Sequence, residues 1–192
     1  MIKHALDMSN LSNRIDAMET VLNGELGQMN LRFNTDQTIS DYLANISGKT
    51  AELFAQACAV SLFADGQMLL AKRAYDIGLN IGIAFQIMDD YLDYTTESQT
   101  FGKPVLTDIK QGIYSAPVLF AIAADARVAD LLAQEAYEQV FIIIHETHAL
   151  DKTYALAKKH TDKALNLIQK LPNIPVKSDI YMITKTLLER QL

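Results

Sequence analysis

Residues 78–94, GLNIGIAFQIMDDYLDY, constrain the fold of this chain more than any other stretch. Apolar side chains fall on every side of a helix and show no strand alternation. This predicts a long helix over roughly Met68 to Tyr94, placed centrally and covered on all faces. Gly78 and Gly82 are four apart, so they share one face and let a neighbour approach closely. The helix ends in Asp89, Asp90 and Asp93. Asp89 and Asp93 are one turn apart on one face, Asp90 flanks it, and Gln86 lies a turn earlier. Two unit charges about 4 Å apart repel by roughly 1 kcal/mol in water and about 4 kcal/mol at an effective dielectric near 20. A core helix carries such a cluster when a cation offsets it. Hard oxygen ligands, with no His or Cys beside them, point to magnesium shared with waters and phosphate. The competing reading is a solvated acidic helix end.

The rest of the 192 residues follows the same helical pattern. Hydrophobic residues make up 49%, and only 8 Gly and 4 Pro punctuate them, which favours helix over disorder. We expect a single domain over residues 1–192 and an all-α helical bundle. Leu11, Ile15, Met18, Val21 and Leu22 form an apolar stripe. A second helix is predicted to start after Thr38, as cap, with Asp41 in its first turn, and to run to about Ala64 before Asp65-Gly66. Residues 96–112 read as a loop. Further helices are expected from Ser115 over Pro117, from Leu131 to Glu146, from Asp151 to Leu171, and after Ser178 as cap.

The net charge of −6, with scattered Lys and Arg, argues against a nucleic-acid partner. The longest uncharged run, Leu53 to Ala64, is too short to span a bilayer, and MIKHALDMSN lacks a signal-peptide core. Cys58 is the only cysteine and reads as a packed thiol in a reducing, cytoplasmic setting.

Two lysines carry weaker signals. Lys49-Thr50 follows Gly48 in mid-helix, where an ammonium and a hydroxyl could meet phosphate, although a surface Lys is the simpler reading. Lys103, in Gly102-Lys103-Pro104, is similar. Neither belongs to a P-loop, because the glycine spacing is absent. His145 and His148 lie three apart without a third metal ligand.

Together these segments resemble the trans-prenyl diphosphate synthases, and among them the medium- and long-chain polyprenyl members. Gly24-Glu25-Leu26-Gly27-Gln28 looks like the family's Gly-Glu-x-x-Gln segment. Tyr42 with Lys49-Thr50-Ala51-x-Leu53-Phe54 looks like its Lys-Thr helix. Phe85-Gln86 with Asp89-Asp90-Tyr91-Leu92-Asp93 looks like its second aspartate-rich motif. Gly102-Lys103-Pro104, Asp108, Gly112 and Pro117 look like the loop that follows. The resemblance implies an isoprenoid-synthase bundle in which Asp89, Asp90 and Asp93 hold magnesium against an allylic diphosphate. Lys49 and Lys103 would neutralise that diphosphate, with Thr50 and Gln86 lining the site. The reaction implied adds isopentenyl diphosphate to the allylic substrate.

Ile113 stands where the family often has a second Lys. The family's first aspartate-rich motif, paired arginines and N-terminal basic site have no counterpart here. The resemblance therefore implies a bundle lacking the N-terminal helices, inactive without them. The partner would be a second copy or a complementary chain. Two other readings stand beside this one. A class I terpene cyclase would use Asp89, Asp93 and Glu97 at i, i+4 and i+8. A non-catalytic subunit would only bind a partner.

Overall fold

The computed structural model describes residues 19–95 and 106–189. Among these every regular element is helical. Residues 19–30 form α1. Then come α2 (Ile39–Ile46), a π-helical turn (Ser47–Ala51), α3 (Glu52–Ala64) and α4 (Met68–Leu92). After the undescribed stretch follow α5 (Thr107–Lys110), α6 (Ala116–Ala124), α7 (Arg127–Ala133) and α8 (Tyr137–Glu146). Last are α9 (Ala149–Gln169), α10 (Lys177–Thr186) and a 3-10 turn at Leu187–Glu189. No helix among the described residues is long and apolar enough to cross a membrane.

α4 is the central helix that its sequence predicts. It packs along α3 on one side and α9 on the other. Ile83, Ile87 and Met88 join Val118, Leu119, Val140 and Ile144 in the main core, and Ile77 meets Ile168 and Leu171 in a smaller one. The two glycines make the close approach possible. A Cβ on Gly78 would stand 2.4 Å from the Phe54 carbonyl oxygen, and one on Gly82 would stand 2.6 Å from the Ala51 Cα. Backbone therefore rests on backbone along this face.

Thr38 caps α2 in a reciprocal box with Asp41. The Thr38 backbone N–H donates to the Asp41 carboxylate at 2.9 Å, and the Asp41 N–H donates to the Thr38 hydroxyl at 3.2 Å. Other boundaries differ from expectation. The helix expected from Thr38 to Ala64 is interrupted by the π-turn, where the Glu52 N–H reaches the Ser47 carbonyl. Within the expected 96–112 loop, Thr107–Lys110 is helical. The expected helix from Leu131 to Glu146 is two, because Glu135 turns left-handed at φ 57 between α7 and α8. Ser178 lies inside α10, whose cap is Val176. The N-terminal stripe falls outside the described residues except for Val21 and Leu22, and Leu22 is exposed.

Candidate active site

The site is built where α1 and α2 meet the C-terminal half of α4. Gly24 on α1 crosses Gly48 in the π-turn, and the Asn45 amide donates to the Gly24 carbonyl at 2.7 Å. That crossing lays Glu25 and Gln28 against Lys49. The Lys49 ammonium donates to Gln28 Oε1 at 2.7 Å and pairs with Glu25 at 3.4 Å. A π-turn displaces side chains from the positions an α-helix would give them, and such turns recur at functional sites. Here it carries Lys49 and Thr50.

Thr50 faces α4. Its hydroxyl donates to Gln86 Oε1 at 2.9 Å. Gln86 Nε2 donates in turn to Asp90 Oδ1 at 2.9 Å, and the Tyr42 hydroxyl donates to Asp90 Oδ2 at 2.6 Å. Three elements are thus joined by one chain of hydrogen bonds through a carboxylate that is only 9% exposed. Burial pushes the Asp90 carboxyl up to about 7. The bonds from Tyr42 and Gln86 oppose this, and the charges of Asp93 and Asp108 add to it. The Tyr42 hydroxyl is itself raised, by burial first and by Asp90 second.

A cleft of about 150 Å³ opens beside this chain. Lys49, Gln86, Asp90 and Tyr42 line it, together with Gln28, Asp108 and Ile113. Lys49 and Gln86, both expected at the site, therefore share one cavity, and Thr50 joins through Gln86. Asp89 is half-buried and Asp93 exposed, one turn apart at the end of α4, while Asp90 turns inward to Tyr42. Lys103, Gly102, Pro104 and Glu97 lie outside the described residues.

Among the described residues no three carboxylate, histidine or cysteine side chains converge into a metal cage. The donor set still fits magnesium, which takes one or two carboxylates and completes its octahedron with water and phosphate oxygens. Asp89 and Asp93, on one face, are the residues that could hold it. His145 and His148 form no metal pair: His145 packs on the Phe141 ring, and His148 approaches Asp151 at 2.9 Å. Cys58 is half-buried, and burial raises its thiol pKa, which suits a packed residue.

The sequence did not single out Tyr42, Gln28 or Asp108 as site residues. For Tyr42 a signal existed. It lies on the inner face of α2 with Ile46, and a buried tyrosine needs a partner for its hydroxyl.

The polyprenyl synthetase family model matches residues 1–150. A prenyl transferase of Cyanidium caldarium is 38% identical over 173 residues, covering 87% of this chain and 54% of that protein. Heptaprenyl diphosphate synthase component 2 of Geobacillus stearothermophilus is 37% identical over 160 residues, covering 79% of this chain and 50% of that one. The chain thus spans about half the length of these curated relatives. The crystal structure of a geranylgeranyl pyrophosphate synthase from Lactobacillus brevis superposes with a TM-score of 0.87 at 37% identity, covering 95% of this chain and 59% of that one. The helical bundle is that of the isoprenoid synthases, and the chain belongs to the polyprenyl synthetase family.

Proposed function

We propose that this chain binds the diphosphate of an allylic substrate with magnesium, as part of a polyprenyl diphosphate synthase that adds isopentenyl diphosphate to it. The observation that carries this reading is the convergence of Lys49 and Gln86 on one cleft beside the acidic end of α4.

Bound magnesium would supply fixed positive charge to the diphosphate as it leaves. The chain's residues do the rest. Asp89 and Asp93 would hold the metal. Lys49 sits in a π-turn whose place is set by the Gly24–Gly48 crossing, so its ammonium reaches the cleft with little reorganisation. Gln86 and Thr50 fix the cleft wall. Lys103, by resemblance, adds a second cation. The allylic tail would run along apolar helix faces, where water is excluded from the developing carbocation. The double bond of isopentenyl diphosphate attacks that carbocation, and loss of a proton completes the step.

Two relatives are named as second components of heptaprenyl diphosphate synthases. On that ground the working form we propose is an assembly, either with a complementary chain or with a second copy. Titration calorimetry with magnesium and inorganic pyrophosphate tests the site. Wild type should bind pyrophosphate more tightly with magnesium than without, and Asp89→Ala should lose that gain. Equal binding by the two proteins removes Asp89 from the site.

A further inference from the structure

Tyr42 is bonded to a carboxylate 48 residues away, and the bond is almost sealed from solvent. Tyr42 is 4% exposed and Asp90 9%. Burying a hydroxyl and a carboxylate is costly unless each is hydrogen-bonded, and a Phe would fill the same volume without that cost. The pair therefore calls for an explanation beyond packing.

Its place in the chain supplies one. Tyr42 precedes the π-turn and Thr50 lies within it. Tyr42 donates to Asp90 and Thr50 donates to Gln86, while Gln86 donates to Asp90. One carboxylate–amide couple on α4 thus grips the segment 42–50 at both ends, and Lys49 stands inside that grip. Both Asp90 oxygens accept from internal donors, Tyr42 and Gln86, beside the face that carries Asp89 and Asp93.

We propose that Tyr42 is a positioning residue of the diphosphate site, whose hydroxyl holds Asp90 inward and, with the Thr50–Gln86 contact, staples the turn bearing Lys49 at a set place beside the metal face. The proposal rests on the diphosphate-binding reading above. In this scheme Tyr42, at the wall of the cleft, acts through Asp90, Gln86 and Lys49.

The test uses the full chain, inorganic pyrophosphate and magnesium, followed by calorimetry. Tyr42→Phe removes one oxygen and keeps the ring. Its affinity for magnesium pyrophosphate should fall about tenfold, the order expected when a hydrogen bond to a charged group is lost. In an Asp90→Asn background the same change should have no further effect, because the link is already cut. A lowered melting temperature with unchanged affinity would make Tyr42 a packing residue and overturn the proposal. If wild type fails to bind magnesium pyrophosphate, the diphosphate reading falls and this proposal with it.

Should Tyr42→Phe be unfolded by circular dichroism, Asp90→Asn carries the test with metal chelated. Removing a negative charge by itself favours an anion. A slackened Lys49 disfavours it. Weaker metal-free pyrophosphate binding by Asp90→Asn supports the staple; equal or tighter binding overturns it.

Discussion

Gly24 meets Lys49 so closely that a Cβ on Gly24 would stand 2.5 Å from the Lys49 backbone nitrogen. Any side chain there must push the π-turn away. Gly24→Ala should destabilise the protein by about 1–3 kcal/mol, as overpacking does, and weaken pyrophosphate binding through Lys49. Gly27→Ala is the control. Its Cβ would meet only the flexible Asn45 side chain at 3.4 Å, and alanine favours the helix by up to about 1 kcal/mol. Thermal melts of both variants, with calorimetry, should separate them in opposite directions.

Two buried groups should make stability respond to pH with opposite signs. Asp90 is raised from 3.8 to about 7, so the folded state holds its proton longer. Its contribution is full below about pH 4 and is lost as pH rises toward 7. His160, hydrogen-bonded to Asn80 and kept from charging by burial and by Lys163 and Lys159, is lowered from 6.5 to about 4. Its contribution is full above pH 6.5 and is lost as pH falls toward 4. Wild type should therefore show a shallow profile between pH 4 and 6.5. Asp90→Asn should become less stable toward the acid end of that window, and His160→Gln less stable toward neutrality. Denaturant titrations at four or five pH values read both slopes, and parallel profiles for the two variants would contradict the assignment.

Isopentenyl transfer should require more than these residues. The described cleft offers Lys49, with one acidic helix end beside it, against a leaving group bearing several negative charges. Holding both reactants in register is worth up to roughly 7–11 kcal/mol of barrier in well-oriented systems. Each 1.36 kcal/mol is about tenfold in rate. We expect no measurable incorporation of radiolabelled isopentenyl diphosphate by the purified 192-residue chain, and incorporation once a chain with a second aspartate-rich cluster is added. Robust elongation by the chain alone would contradict this.

Association should follow from α1. Leu22, Leu26 and Met29 are each more than half exposed and recur at helical spacing. Light scattering at micromolar concentration should report dimers or larger species, and Leu26→Asp with Met29→Asp should reduce them to monomer. A monomeric wild type would remove this stripe as a contact.

The central helix, its glycine face and the Thr38–Asp41 cap were legible because each is a local or periodic signal. The apolar girth of 78–94 admits only a covered helix, and Thr38 three residues before Asp41 is a capping pair in any context. The break at Glu135 was not legible, since a left-handed non-glycine carries no compositional mark. The π-turn was hidden for a similar reason: Ser47–Ala51 differs from an α-helix by one hydrogen-bond step, which tertiary packing against Gly24 and Gly82 decides. At the site, Lys49, Thr50 and Gln86 were brought together only by the family resemblance, since nothing local links residue 49 to residue 86. It could not show that Asp90 turns toward Tyr42, because that depends on how two distant helices are rotated about their own axes.

The π-turn also lets the chain carry one residue more than the helix around it needs. Each residue advances a helix by about 100°. The π-turn takes up the extra residue of Ser47–Ala51, so Tyr42 and Ile46 face inward before it and Ala55 and Ala59 face inward after it. Deleting one residue there would restore a regular ladder and look harmless to any local rule. It would leave Ala55 and Ala59 in phase with Tyr42 and Ile46 but remove the widened turn itself, carrying Lys49 away from Gln28 and leaving the cleft without its cation. In this stretch the number of residues is as much a functional constraint as their identity.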